Sequence, residues 1–535
     1  MDAAHLTDLD EIRRMTEAKA KAEHVQFQGD PEPEQADGGN GNDKEWTGTP
    51  TDQEDPAPIS PAFVLDCLRS NEDGDARLFI ELHRGRFLFD LSAGVWYKWA
   101  GHHWPKDFLN EAMAGIKEVI SVYGQAAQRE VWLRLQADKS GNKTRAKTHK
   151  ENEDNLLKRV RALQSLNRKK NVLELAKIGT DGLGITGKEW DRDPWLLGCL
   201  NGVLELKTGT HRPGRPEDLI KTVASVEWKG LDTPAPNLNE FLSGIFDGNK
   251  ELADYLQRLL GYSITGHTVE HIFPIFHGVG RNGKGTLFEV LAYVLGPYAG
   301  PTEAELILKQ KMIRQSGGPT SDIIYLRGKR LVWISETDEG RRLNAGRVKW
   351  LSGGDTLTGR GIYDRDQVNF QPSHKLVLLT NHRPHADASD YALFQRLHLI
   401  PFTLSFVDDP QKPNERKADK SLLEKLKAES SGVLAWLVRG CLAWQKEGLN
   451  PPEAVKAATK AFQEEEDLIG QFISEKCTLG LGLEVQAGTL YKTYQEWTEE
   501  NGLTAISSVK FGREMRNRFA SFKDRNTFYE GVGLL

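Results

Sequence analysis

Between residues 272 and 401 short apolar runs alternate with polar turns and helix-periodic stretches, the pattern of an α/β core with a buried sheet. IFPIFHGVGRNGKGTLFEVLAYVLG (272–296) reads as a strand, a glycine-rich turn and a helix. GKRLVWISETDE (328–339) and HKLVLLTNHRP (374–384) each read as a strand ending in polar residues. Upstream, FLFDLSAGVWYKWAGHHWP (87–105) alternates apolar and polar positions about a Gly-bearing turn, which predicts a small antiparallel sheet. Residues from about 108 to 178 turn helical. WLLGCLNGVLELKTG (195–209) predicts two strands joined at Asn201-Gly202. Residues 238–265 predict an amphipathic helical lead-in, 408–420 a polar linker, and the rest a mainly helical region ending in a small mixed segment. These changes of pattern place an α+β domain at 61–235, the α/β core at 236–406 and a C-terminal domain at 407–535.

Composition adds bounds. A chain of 535 residues is too long for one core. Residues from about 27 to 58 are rich in Gly, Pro, Asp and Glu with Lys44 the only base, so residues 1–60 are expected to form a disordered acidic leader. No apolar run approaches the roughly 20 residues that span a bilayer, and the N-terminus lacks the apolar core of a signal peptide. Four scattered cysteines (Cys67, Cys199, Cys441, Cys477) build no zinc site from neighbouring pairs and suit a reducing cytoplasm. A net charge of −6 disfavours a surface that coats nucleic acid, but leaves room for a local basic channel. The basic stretch from Lys139 to Lys170 is interleaved with acids and reads as a solvated helix face.

The turn Gly278-Val279-Gly280-Arg281-Asn282-Gly283-Lys284 is the G-x-x-x-x-G-K loop in its strand–loop–helix context. Its glycines let backbone N–H groups wrap phosphate oxygens, and Lys284 can bridge the β- and γ-phosphates. These features call for ATP and Mg2+. Gly285 stands where a Ser or Thr normally ligates magnesium, and Thr286 is the expected substitute although one residue turns a helical side chain by about 100°. Pro274 in the apolar run is expected to mark the strand's start. Glu336, at the end of the second strand, is suited to hold magnesium or orient the attacking water, and Asn381 to bond the γ-phosphate or that water. Arg396 follows Asn381 by 15 residues and could stabilise charge at a neighbouring subunit's γ-phosphate.

This series of motifs resembles the superfamily 3 helicases, AAA+ ATPases, and within them the phage/plasmid primase–helicase family that includes poxvirus-type primase-helicases. The matching residues are GVGRNGKGTL, LVWISETDEGRRLN, VKWLSGGDTLTGRGIYDRDQVNFQPSHKLVLLTN and FQRLHLIPF. The resemblance implies an AAA+ core whose loop lysine, strand-end acid, sensor asparagine and trans-acting arginine finger fall on Lys284, Glu336, Asn381 and Arg396. It also implies a channel hairpin with its tip at Tyr363-Asp364-Arg365-Asp366, Arg365 its only base, and with Lys349 and Arg360 as further basic positions. The segments 86–104 and 195–209 resemble the domain that precedes the motor. The C-terminal region resembles a winged-helix-like module, in which SSVKFGREMRNRF (507–519) forms a helix capped by Ser507 or Ser508 with Lys510, Arg513 and Arg516 toward DNA.

The implied activity is that of an ATP-hydrolysing hexameric DNA helicase. It would act on single-stranded or forked DNA for a phage, prophage or plasmid-like element in a bacterial cytosol, together with a separate primase or polymerase. Nothing N-terminal to the match has the size of a primase core, so no priming is expected from this chain alone. Two other readings remain: an ATP-dependent replication initiator without processive unwinding, and a small-molecule P-loop kinase, which would need neither Arg396 nor the hairpin.

Overall fold

A computed structural model describes residues 59–310, 318–335, 340–361 and 367–535, so the acidic leader lies outside the described residues. The chain divides into two compact units, one containing residues 59–100 and 104–189, the other 101–103 and 190–535.

The first unit is mainly helical, with helices Pro61–Arg69, Asn71–His83, Glu111–Lys139, Lys143–Ala162 and Leu166–Ala176. Strands Phe87–Asp90 and Val95–Lys98 pair antiparallel as their alternation predicts, Phe89 opposite Trp96. Phe79, Ile116, Val119, Tyr123 and Leu156 form its core.

The second unit is built on five strands, here β1 (Phe273–His277), β2 (Ala299–Thr302), β3 (Leu331–Ser335), β4 (Lys375–Thr380) and β5 (Leu397–Pro401). All pair in parallel in the order β5-β1-β4-β3-β2. Both faces are covered, which is why the strands read as continuous apolar runs. Phe276, Trp333, Val377 and Leu379 face the helix Lys284–Leu295, while Ile275, Val332, Ile334, Leu376 and Leu378 face Ile323 and Val348 on the other side. Pro274 is the second residue of β1, and pairing with β4 begins only at Ile275, so its missing N–H falls before that ladder starts.

The strands Leu196–Cys199 and Gly202–Glu205 form the hairpin expected at Asn201. Their place corrects the expected boundary at 235. Leu197, Cys199, Leu204 and Leu206 share one core with Phe276, Leu287 and Leu291, because this hairpin cannot bury its apolar face alone. The polar segment 408–420 is more than a linker, since Glu415–Lys417 pairs in parallel with Ser405–Val407.

Residues 468–534 run helix, strand, helix, helix, strand, strand (Leu468–Lys476, Cys477–Gln486, Ala487–Glu500, Ser508–Arg518, Ser521–Asp524, Asn526–Leu534). The three strands are antiparallel with Asn526–Leu534 in the middle, and Phe472, Tyr494, Trp497, Phe511 and Met515 form a separate core.

Candidate nucleotide site and nucleic-acid interface

Parallel pairing brings the C-terminal ends of β1, β3 and β4 level: Thr380 lies opposite His277, and Ser335 opposite Leu379. Side chains leaving these ends therefore share one edge of the sheet. From β1 the chain enters the loop Gly278–Gly283 and then the helix that begins at Lys284. Gly283 has φ +83°, a left-handed conformation that L side chains rarely adopt. Gly278 is required by close approach, since a Cβ there would lie 2.1 Å from the Phe402 carbonyl oxygen and 2.6 Å from Asn282 Nδ2. Asn282 is itself buried. Nothing lies within 4 Å of a Cβ built on Gly280.

Lys284 is 6% exposed. Its Nζ donates to the Gly278 carbonyl at 2.7 Å and to Asn381 Oδ1 at 3.3 Å. Burial lowers its pKa from the usual lysine range to about 8. An ammonium held inside a glycine cradle, beside a neutral amide at the end of the adjacent strand, fits the polyphosphate of a nucleotide. Gly285 faces solvent with open space around it, and Thr286 is half-buried one residue further on. Glu336, the residue after β3, lies outside the described residues.

Arg396 stands at the other edge of the sheet. Its carbonyl accepts from Phe273 N–H at the start of β1, so β1's own length, roughly 16 Å at about 3.3 Å per residue, separates it from its own loop. Its Nη1 donates to the Ala392 carbonyl at 2.9 Å, and its buried Nε has no hydrogen-bond partner among the described residues.

The sequence did not point to the segment after β5. Phe402 closes over Gly278, Phe406 N–H donates to the Arg281 carbonyl at 2.7 Å, and Ser405 Oγ donates to the Gly280 carbonyl at 3.4 Å. The apolar run LIPF was the only available signal, and it does not say which loop it will cover.

Strands Leu357–Gly359 and Val368–Phe370 pair antiparallel in the segment expected to form the channel hairpin. Its tip, with Arg365, lies outside the described residues. Lys349 pairs with Asp390 at 2.9 Å, the residue whose side chain caps the short helix Tyr391–Phe394 just before Arg396. Thr320 N–H donates to the Arg360 carbonyl, and Arg360 N–H donates to Thr320 Oγ1, both at 2.8 Å. The helix Ser508–Arg518 is capped by Ser507. Arg513 and Arg516 on it are exposed, but Lys510 Nζ donates to Asp387 at 2.7 Å and so is set apart from them.

Three family models match in chain order: one described as D5 N terminal like over residues 76–247, a family of unknown function over 276–396, and a Poxvirus D5 protein-like model over 464–531. The chain is 27% identical over 461 residues to the putative helicase L207/L206 of Acanthamoeba polyphaga mimivirus, covering 82% of this chain and 47% of that one. It is 26% identical over 384 residues to the putative helicase 022R of Frog virus 3, covering 58% and 39%, and 26% identical over 253 residues to primase D5 of Fowlpox virus, covering 44% and 31%. The chain spans about half, or less, of the length of these curated relatives. Among solved structures it is similar to the apo C terminal region (305-718) of NrS-1, at a TM-score of 0.39 and 13% identity over 68% of this chain and 89% of that one. No helix among the described residues is long and apolar enough to cross a membrane.

Proposed function

Because this chain belongs to the superfamily 3 primase–helicase family related to the poxvirus D5 proteins, we propose that it is an ATP-hydrolysing DNA helicase with an AAA+ core, which works as a ring in the replication of a viral or plasmid-like element. One observation carries the reading: the strand order sets Lys284 and Asn381 together at one edge of the sheet and Arg396 at the opposite edge. The loop amides and Lys284 would hold the β- and γ-phosphates of ATP, and Thr286 and Glu336 would hold Mg2+, which neutralises charge on the phosphates when bound. Asn381 would orient the attacking water. Arg396, too far from its own loop, would complete the site of a neighbouring subunit, and Lys349, through Asp390, would fix the short helix before it.

On the nucleic-acid side, Arg365 would grip a single strand in the channel, with Arg360 just past the last paired residue of the first hairpin strand, on the side of the tip. The helix–strand–helix–helix–strand–strand order of residues 468–534 supports a winged-helix-like module. Arg513 and Arg516 are then its DNA-facing bases, and Lys510 serves the contact with Asp387 instead. Relatives named as putative helicases, from several large DNA viruses, support the same reading. Lys284→Ala is expected to abolish ATP hydrolysis, and wild-type protein to displace a strand from forked DNA only with ATP. Hydrolysis without strand displacement would favour a replication initiator, and near-wild-type turnover in Lys284→Ala would remove the core of the proposal.

A further inference from the structure

The first unit sorts the basic stretch from Lys139 to Lys170 into two sets. Lys150 is spent on Glu153 at 3.0 Å and Asp154 at 3.4 Å, as a solvated helix face would be. Lys158, Arg159 and Arg168 instead converge with Arg69 on a cavity of about 370 Å³ that has Asn155 on its wall and no carboxylate in its lining. Asp75, buried behind it, holds two of these cations in place: it accepts from Arg159 Nη1 at 2.5 Å and from Arg168 Nε at 2.8 Å, with Tyr123 Oη donating to it at 2.9 Å. Glu72 approaches Arg168 at 3.9 Å. Arg69 and Lys158 pair with no carboxylate among the described residues, so four cations face two acids. Arg159 also donates to the Leu68 and Asn71 carbonyls and Arg168 to Asn71 Oδ1, so the charge surplus rests on Arg69 and Lys158, and such a surplus on a concave polar wall selects an anion rich in acceptor oxygens. No aromatic side chain lines the cavity, so a free nucleotide would find nothing on which to stack its base.

We propose that this cavity holds a backbone phosphate of single-stranded DNA, a second strand contact outside the motor core. The proposal rests on the reading of the chain as a DNA helicase and adds a place on the first unit where the strand is held. Arg69 and Lys158 can be removed without touching the Asp75 cluster. The test uses the full chain carrying Arg69→Ala and Lys158→Ala together and measures binding of a labelled oligo-dT over a salt series. Each lost phosphate contact lowers the slope of log K against log salt by about 0.7. The double variant should therefore lose about 0.7 of slope and bind roughly three- to tenfold more weakly at moderate salt, with its melting temperature and ATP affinity unchanged. If ATP or inorganic phosphate affinity falls while the DNA slope holds, the ligand is not a strand and the proposal fails. If wild type hydrolyses ATP and unwinds forks while the variant keeps wild-type slope and affinity, the cavity assignment fails and the helicase stands. Wild-type protein that binds no single strand would overturn both.

Discussion

At Lys284, in the glycine-rich loop, burial and charge are opposed. Its pKa is lowered to about 8 because burial penalises the ammonium. The unfolded chain therefore binds more protons than the folded one between about pH 8 and the ordinary lysine value, and stability from this group rises with pH across that window. Below pH 8 both states are protonated and the cost of the buried charge is fully present. A bound polyphosphate would reverse the balance by favouring the ammonium. Nucleotide binding at pH 9 should then take up a fraction of a proton approaching one, read from calorimetry in buffers of different ionisation heat, and Lys284→Ala should show no uptake. The neighbouring position makes a second test. Open space around Gly285 means that Gly285→Thr should fold with an unchanged melting temperature. If Thr286 is the magnesium ligand, Thr286→Ala should lose metal-dependent turnover, and Gly285→Thr on that background should restore part of it. Unchanged turnover in Thr286→Ala would assign the metal to other groups.

Among the elements, the loop between Asn381 and Arg396 is tied both to the end of the helix Glu453–Glu466 and to the C-terminal module. Arg383 pairs with Glu465, His385 with Glu466 at 3.0 Å, and Asp387 with Lys510 at 2.7 Å. Burial alone would raise the pKa of Asp387, but hydrogen bonds from Lys510 and Ser389 outweigh it and hold the carboxylate at about 2. Its contribution is present above the ordinary carboxylate value and is lost as pH falls toward 2. Lys510→Ala should loosen this contact, seen as faster hydrogen exchange in residues 383–390 and 508–518, while duplex DNA binding falls less than in Arg513→Ala. An equal or larger loss of DNA affinity in Lys510→Ala would return it to the DNA-facing set.

For the assembled molecule, the position of Arg396 sets the expectation. In the proposed ring, Arg396 is the finger for a neighbouring loop rather than its own, and Arg396→Ala should then bind ATP and lose hydrolysis by about 10³ or more. Mixed with Lys284→Ala protein, which keeps its finger but spoils its own loop, it should regain part of the activity at some interfaces. No recovery at any ratio would give Arg396 a structural role within its own subunit.

The sequence by itself determined the features that short windows encode. The glycines and Lys284 of the loop, the strands before Glu336 and Asn381, the turn at Asn201 and the cap at Ser507 follow from φ preference, periodicity and capping over a few residues. Only the tertiary structure decided which strand lies beside which. The insertion of β4 between β1 and β3, which puts Asn381 3.3 Å from Lys284, depends on long-range pairing that local patterns do not carry. Lys375, a base close in sequence to the hairpin, is buried at the start of β4, where carbonyls of Thr265, His267 and Ser373 surround its ammonium. Residues 190–235 joined the core of the parallel-sheet unit for the same reason: an apolar hairpin is placed by the surface that can cover it, and that surface comes from residues far away in the chain.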